Sequence, residues 1–170
     1  MKICVYGLWH LGAVTAACLA SVGHDVIGLD DGVTKIKNLN LGKAPLFEPD
    51  LNEMIQIEIN EGHLNFTQNS IKAVGDADVL WVTFDTPVDE EDQADVEYVL
   101  DKIKSVLPEL KDGAVVIISS QIPVGLVWKL EHFIKENNNR KQICFAYSSG
   151  IINGVIEKPE KITYYLVGSG

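Results

Sequence analysis

The chain has 170 residues, a length typical of one domain. Its 14 lysine and arginine residues against 24 aspartate and glutamate residues give a formal net charge of −10, which argues against binding to nucleic acid or to an anionic membrane surface. At 46 % hydrophobic and 22 % charged residues, the composition is that of a soluble globular protein with a buried core.

The first 30 residues predict a strand, a helix and a second strand. Residues 2–7 are a short apolar run that stops at glycine, which is typical of a buried parallel strand. Small and apolar residues recur at helical spacing over residues 10–21, and Gly23 follows where a helix C-cap is expected. Residues 25–30 form the second strand. A connection this long indicates parallel pairing through a crossover helix.

The alternation continues along the chain. Further helices are predicted over residues 33–41, 50–61, 95–107 and 125–137, and further strands over residues 78–83, 114–118, 142–147 and 163–167. Apolar strands alternating with helices predict an α/β fold with a doubly wound parallel sheet of the Rossmann type, in a single domain over residues 1–170.

The N-terminal apolar stretch is interpreted as part of this fold and not as a secretory signal, because His10 and two glycines interrupt it. No run reaches the roughly 18 consecutive apolar residues of a membrane helix. Cys4, Cys18 and Cys144 are odd in number and widely spaced, which fits neither a disulfide framework nor a zinc knuckle. We predict three small core residues and a reducing, cytoplasmic compartment.

The turn after the first strand carries two of the three glycines of the dinucleotide fingerprint G-x-G-x-x-G. It reads Gly7-Leu8-Trp9-His10-Leu11-Gly12. Gly7 permits the turn, Gly12 lets the helix pack closely on the sheet, and Trp9 stands where glycine normally lets the backbone approach the pyrophosphate. Because helix N-terminal N–H groups hold the phosphates, binding is compatible with a Trp9 side chain that points away. The cofactor-binding residues predicted here are Gly7, Trp9, His10, Leu11 and Gly12, with a simple helix-start role as the alternative for His10.

Asp30 ends the second strand, where the fingerprint has an acid that accepts hydrogen bonds from the adenosine ribose. Asp31 follows, and no arginine is near, so a 2′-phosphate would meet negative charge without a cation to neutralise it. The pattern therefore predicts NAD rather than NADP. A doubly wound domain that binds no dinucleotide remains compatible with these residues alone.

Three further blocks carry a specific pattern: residues 39–51 read LNLGKAPLFEPDL, residues 86–99 begin with TPVDE and end with DVEYV, and residues 119–125 read SSQIPVG. These blocks resemble L-N-x-G-x-x-P-[FIY]-x-E-P-G-L, T-P-x-D-E…D-x-x-Y-V and K-S-T-V-P-x-G of one family, the UDP-glucose/GDP-mannose dehydrogenases. Members of that family oxidise the C6 alcohol of a nucleotide sugar to a carboxylate with two NAD. The resemblance implies that Thr86 and Gln121 border the nicotinamide of the bound cofactor. Read from the residues alone, Thr86 ends a strand and Asp95 caps the next helix.

The chain departs from the family at two points. Gln121 replaces a threonine that helps to position a catalytic water in related enzymes, and the glutamates of the family's N-P-E-F-L-R-E-G block are missing after residue 147, with Glu157 only a weak match. No cysteine here fits the family's catalytic nucleophile. The resemblance implies that the cysteine nucleophile and a catalytic lysine lie outside this chain, as do the central helical and UDP-binding domains. It also implies that this chain is a fragment that lacks turnover by itself.

The resemblance thus implies the NAD-binding domain of a nucleotide-sugar 6-dehydrogenase, as in oxidation of UDP-glucose. It implies a nucleotide-sugar substrate, contacted through the other domains, and a homodimer or larger assembly. A non-catalytic nucleotide-binding or scaffold module stays open, because of Trp9 and Gln121. A β-hydroxyacid dehydrogenase is a third hypothesis, which the block around Glu48 argues against. No metal site is predicted, because the four histidines share no metal-ligand spacing.

Overall fold

A computed structural model describes residues 1–85, 95–120, 126–137 and 141–147 of the chain. Two of the predicted site residues, Thr86 and Gln121, lie outside these ranges, as do Glu157 and the strand predicted over residues 163–167.

The described residues form a six-stranded sheet in which every pairing is parallel, with the strand order β3-β2-β1-β4-β5-β6. The strands are β1 Lys2–Tyr6, β2 Asp25–Leu29, β3 Leu64–Thr67, β4 Val79–Val82, β5 Val115–Ile118 and β6 Cys144–Tyr147. The order runs outward from β1 in one direction and from β4 in the other, which confirms the predicted doubly wound topology.

Helices cover both faces of the sheet. They are α1 His10–Ser21, α2 Val33–Asn40, α3 Leu51–Glu61, α4 Ser70–Val74, α5 Val96–Val106 and α6 Leu126–Asn137, with a 3₁₀ turn at Leu107–Glu109. Alternate residues of β1 separate the two cores: Ile3 and Val5 pack with α1 to α3, whereas Cys4 and Tyr6 pack with α4 to α6. This alternation is the period-two geometry of a strand buried on both faces.

The sequence explains why α5 and α1 sit where they do. On α5, Val99, Leu100, Ile103 and Val106 recur at helical spacing and are at most 1 % exposed, each worth about 1.5–3 kcal/mol of burial. Asp95 accepts a hydrogen bond from the Tyr98 N–H at 3.0 Å, which confirms the predicted cap. On α1 the buried face consists of Gly12 and four alanines, and side chains this small allow a close approach to the sheet.

Two elements were not predicted from the sequence, β3 and α4. β3 is a four-residue edge strand with only two buried apolar residues, Leu64 and Phe66, so its pattern is too short to stand out. The Asn40 side chain completes the edge: its amide donates to the Phe66 carbonyl at 3.0 Å and accepts from the Phe66 N–H at 3.2 Å. This contact joins α2 to the sheet and was invisible in the local pattern.

The cysteine prediction was right for one residue and wrong for another. Cys4 is fully buried in β1, and burial raises the pKa of its thiol. Cys18 is half-buried on α1, with a pKa raised by the same cause. Cys144 is exposed, not a core residue, because β6 lies at the sheet edge and turns Phe145 inward instead.

No helix among the described residues combines the length and the apolarity needed to cross a bilayer.

Candidate cofactor-binding site

A crevice of about 280 Å³ opens at the carboxyl ends of β1 and β4. Its lining consists of Gly7, Leu8, Trp9, Asp30, Asp31, Lys35, Phe84, Asp85 and Tyr98. The chain leaves β1 and β4 toward opposite sides of the sheet, and such a switch point is where doubly wound proteins bind ligands. A wider depression at the opposite edge is open and holds charges already paired with one another, such as Lys111 with Asp78, so we place the site at the crevice.

Gly7 and Gly12 carry the backbone roles predicted for them. Gly7 has φ +100°, and a β-carbon there would lie 2.9 Å from Phe84. A β-carbon on Gly12 would lie only 1.9 Å from the Gly7 carbonyl oxygen and 2.7 Å from the Thr83 hydroxyl. These two positions accept only glycine without displacing backbone. Because neither residue has a side chain, the turn can pack directly against the start of α1.

Thr83 is a site residue that the sequence did not reveal. It is fully buried after β4, and its hydroxyl donates to the Gly7 carbonyl oxygen at 2.8 Å, with the Tyr6 carbonyl oxygen 3.2 Å away. Its backbone N–H also donates to Tyr6, at 2.9 Å. The sequence feature that could have identified Thr83 is its place as a polar residue directly after a buried apolar strand. A buried hydroxyl is rare unless it has a hydrogen-bond partner.

The N-terminus of α1 faces the crevice without an acid in its first turn. The first helical hydrogen bond runs from the Ala13 N–H to the Trp9 carbonyl at 2.9 Å. The N–H groups of His10, Leu11 and Gly12 therefore precede the point at which the helix supplies its own acceptors. They carry the positive end of the helix dipole, an arrangement suited to a phosphate or another anion.

Trp9 does not need to be glycine for backbone reasons, because its φ of −85° and ψ of −153° are open to any residue. Its side chain is 44 % exposed and lines the crevice, with the Lys35 ammonium 5.9 Å from the ring centroid. The indole therefore does not point away from the crevice. The ring instead forms one wall beside Lys35.

Asp30 joins the crevice to the rest of the fold. The residue is 6 % exposed, and its Oδ2 accepts from the Leu8 N–H at 2.8 Å and from Lys35 Nζ at 2.7 Å. Oδ1 accepts from the Gly32 N–H at 2.9 Å. Because a carboxylate oxygen has two acceptor sites, Oδ1 keeps one that a ribose hydroxyl can use.

Two lysines correct the expectation that no cation lies near the acids of β2. Lys35, in the first turn of α2, pairs with Asp30, and Lys102 from α5 pairs with Asp31. The hydrogen bond to Asp31 is the largest cause of the raised pKa of Lys102. With Asp85 the three acids still outnumber the two lysines, so a 2′-phosphate would enter a region without net positive charge.

Aromatic rings form another wall of the crevice. The rings of Tyr6 and Phe84 meet edge to face at a centroid distance of 4.6 Å, and Phe84 meets Tyr98 at 6.1 Å. Such walls offer flat apolar surface to a ring system and limit the access of water.

His10 is the first residue of α1, and its Nε2 lies 3.1 Å from Oε2 of Glu48. The pair joins the start of the helix to the segment before α3.

Shortly after the end of β5, Ser120 is 2 % exposed, and its hydroxyl has no hydrogen-bond partner among the described residues. A buried hydroxyl next to Gln121 is a group that a ligand can satisfy.

Comparison with protein families identifies residues 1–163 as matching the UDP-glucose/GDP-mannose dehydrogenase family, NAD binding domain. The chain is 35 % identical over 139 residues to a UDP-glucose 6-dehydrogenase of Rhizobium meliloti, covering 81 % of this chain and 32 % of that protein. It is 33 % identical over 163 residues to a GDP-mannose 6-dehydrogenase of Pseudomonas aeruginosa, covering 94 % of this chain and 36 % of that protein. The chain thus spans about a third of the length of these curated relatives.

Solved structures agree. A UDP-D-ManNAc dehydrogenase from Pyrococcus horikoshii superposes with a TM-score of 0.82 at 29 % identity, covering 91 % of this chain and 37 % of that one. A GDP-mannose dehydrogenase from Pseudomonas aeruginosa, solved as a ternary complex, gives a TM-score of 0.78 at 29 % identity, covering 87 % and 36 %. The chain therefore belongs to the UDP-glucose/GDP-mannose dehydrogenase family, within its NAD-binding domain, and its cofactor is NAD.

Proposed function

We propose that this chain is the cofactor-binding part of a nucleotide-sugar 6-dehydrogenase, and that NAD binds in the crevice between β1 and β4. One juxtaposition carries the proposal. The free N-terminal N–H groups of α1, the Gly7 turn and the buried Asp30 carboxylate meet at one edge of the sheet. This is the donor and acceptor set that a dinucleotide requires, with an anion at the helix and hydroxyls at the acid.

Within this proposal several residues in and around the crevice divide the contacts to NAD between them. The N–H groups of His10, Leu11 and Gly12 hold the pyrophosphate, and Oδ1 of Asp30 accepts from the adenosine ribose. The Lys35 ammonium orients the Asp30 carboxylate through a hydrogen bond of 2.7 Å, while the Trp9 ring flanks the ribose. Thr86 and Gln121 border the nicotinamide, as the sequence resemblance implies, and Ser120 contributes a buried hydroxyl there.

Bound NAD supplies the hydride acceptor for oxidation of the sugar C6 alcohol. The chain's own contribution is placement. The glycine turn and the Thr83 hydroxyl fix the height of the α1 N-terminus over the sheet, and the ring of Phe84 against Gly7 shields the cofactor from water. A small error in such placement has a large effect on rate, so these residues act through position and not through proton transfer.

The substrate class follows from the named relatives, which act on UDP-glucose, GDP-mannose or a UDP-linked sugar according to their names. We propose a nucleotide sugar, with UDP-glucose as the first candidate, bound together with parts of the protein beyond this chain. A homodimer or larger assembly and a cytoplasmic location belong to the same proposal, and the three free cysteines fit a reducing compartment.

Catalysis by this chain alone is not expected. Cys4 and Cys18 have pKa values raised by burial, whereas a nucleophilic thiol needs a lowered one. Cys144 lies on the edge strand β6, away from the switch point. The nucleophile and the catalytic lysine that we propose therefore belong to other parts of the enzyme.

The test is calorimetric titration of the chain with NAD and with NADP. We expect saturable NAD binding, weaker NADP binding, and about 10- to 100-fold weaker NAD binding in Asp30→Ala, since hydrogen bonds to a charged group are worth about 1.5–3 kcal/mol. Asp76→Ala is the matched control, because Asp76 is an exposed acid at the opposite edge. Equal affinities in wild type and Asp30→Ala, with both proteins folded, would place the cofactor elsewhere.

A further inference from the structure

Three potential metal ligands meet where α3 ends and β3 begins. They lie at the amino-terminal end of a strand, whereas the crevice lies at the carboxyl ends of β1 and β4. Nδ1 of His63 lies 3.2 Å from Oε2 of Glu58 and 3.6 Å from Oε2 of Glu61. One donor atom of each residue lies within 4.8 Å of the others. The cofactor site uses none of these residues.

The backbone brings them together through a Schellman motif. Gly62 ends the helix with φ +81°, its N–H donates to the Ile59 carbonyl at 3.1 Å, and the His63 N–H donates back to the Glu58 carbonyl at 3.0 Å. This motif sets the residue after the glycine against the residue five positions earlier, usually as an apolar contact. Here the two side chains in contact are an imidazole and a carboxylate.

The charge of Glu58 lacks a permanent counter-charge. The residue is 6 % exposed, and among the described residues its side chain pairs only with His63. Asp30, a carboxylate buried to the same extent, pairs with Lys35 and two backbone N–H groups. A buried carboxylate without such compensation is unfavourable.

The end of the helix makes this deficit larger. Glu58 and Glu61 both lie in the last turn of α3, at the negative end of the helix dipole, and the described last turn holds no basic residue. With a neutral imidazole the cluster has a formal charge of −2, which a divalent cation would neutralise.

The distances suit a transition metal. With Zn–N and Zn–O bonds of about 2.0–2.2 Å, the ligand atoms of a tetrahedral site lie about 3.3–3.6 Å apart, close to the separations of 3.2 and 3.6 Å found here. An imidazole nitrogen among the donors favours such an ion over Mg²⁺ or Ca²⁺, which prefer oxygen ligands. Glu61 and His63 are about half-exposed, so water can reach a fourth position.

We propose that Glu58, Glu61 and His63 form a binding site for Zn²⁺ or a similar divalent transition-metal ion. The ion is structural in this proposal, since it clamps the end of α3 to the start of β3 at the sheet edge and lies away from the NAD crevice.

The experiment is calorimetric titration of the full chain with ZnCl₂ after treatment with a chelator. We expect one equivalent to bind, with at least tenfold lower affinity in both His63→Ala and Glu61→Gln. Glu61 is exposed, so its neutral isostere does not threaten the fold. His132→Ala is the matched control, because His132 forms an exposed two-residue pair with Glu136 on α6.

A second readout is thermal unfolding. Zn²⁺ should raise the Tm of the wild type and of His132→Ala, a chelator should reverse the rise, and His63→Ala should show none. Zinc affinity and Tm rise that persist unchanged in His63→Ala and Glu61→Gln would overturn the proposal, as would the absence of saturable binding to the wild type. Either result would leave a Glu58–His63 ion pair only.

Discussion

The Thr83 hydroxyl donates a hydrogen bond to the Gly7 carbonyl oxygen at 2.8 Å, between residues 76 positions apart in the sequence. The contact joins the end of β4 to the turn after β1, at the point where the topology opens the crevice. A side-chain hydroxyl therefore helps to set the turn whose amides are proposed to receive the cofactor phosphates.

Thr83→Val keeps the shape of the side chain but removes the hydroxyl. It should destabilise the protein by about 1–3 kcal/mol, because the buried Gly7 carbonyl loses its donor. Urea unfolding measures the change. Thr34→Val on the exposed surface of α2 is the control and should change the free energy of unfolding by less than about 0.5 kcal/mol. Equal effects of the two substitutions would show that the Thr83 hydroxyl does not support the turn.

Gly12→Ala should be more damaging, by more than about 2 kcal/mol, since the added carbon would lie 1.9 Å from the Gly7 carbonyl oxygen. Gly23→Ala provides the comparison: its φ is +87° but the space around it is open, so only the left-handed backbone is strained, at about 1–2 kcal/mol. Thermal and urea unfolding of both variants check the order. A Gly12→Ala protein as stable as Gly23→Ala would contradict the close contact.

Trp9 should report on cofactor binding. Its half-exposed ring lines the crevice, whereas Trp128 is 66 % exposed on α6. Addition of NAD should quench tryptophan fluorescence, and Trp9→Phe should remove most of the quenching while Trp128→Phe should retain it. Because the backbone at position 9 is ordinary, Trp9→Phe should also unfold at the wild-type urea concentration. Full quenching in the Trp9 variant would place the ring outside the bound cofactor's reach.

Asp78 should make a pH-dependent contribution to stability. The hydrogen bond from Lys111, followed by that from the Lys2 backbone, lowers the pKa of this carboxyl below its usual value. A lowered folded-state pKa means stability that is fully present above the unfolded pKa of about 3.9 and is lost as the pH falls through the folded value.

Urea unfolding of wild type and Asp78→Asn from pH 7 to pH 3 measures this contribution. The difference in free energy should stay constant above about pH 5 and shrink below about pH 4. Asp76→Asn, an 84 % exposed partner of Lys2, should show little difference at any pH. A difference at Asp78 that grows on acidification would have the wrong sign.

Much of the fold could be predicted from local patterns. Apolar runs such as Val115–Ile118 are typical of strands inside a parallel sheet, and Gly7 and Gly12 mark a turn and a close approach that other residues do not fit. Asp30 follows β2 at a spacing fixed by the crossover. Local sterics and the periods of helix and strand act over a few residues, so they can be read along the chain.

What the sequence by itself determined is thus the βαβ pattern, the parallel topology and the position of the acid that we propose binds the ribose. Only the tertiary structure decided that Lys35 neutralises Asp30, that Thr83 holds Gly7, that Cys144 is exposed, and that Glu58 meets His63. These contacts depend on strand order, on edge position or on the reversal at a helix end. Such relationships place side chains in space through packing, and the spacing of residues along the chain does not encode them.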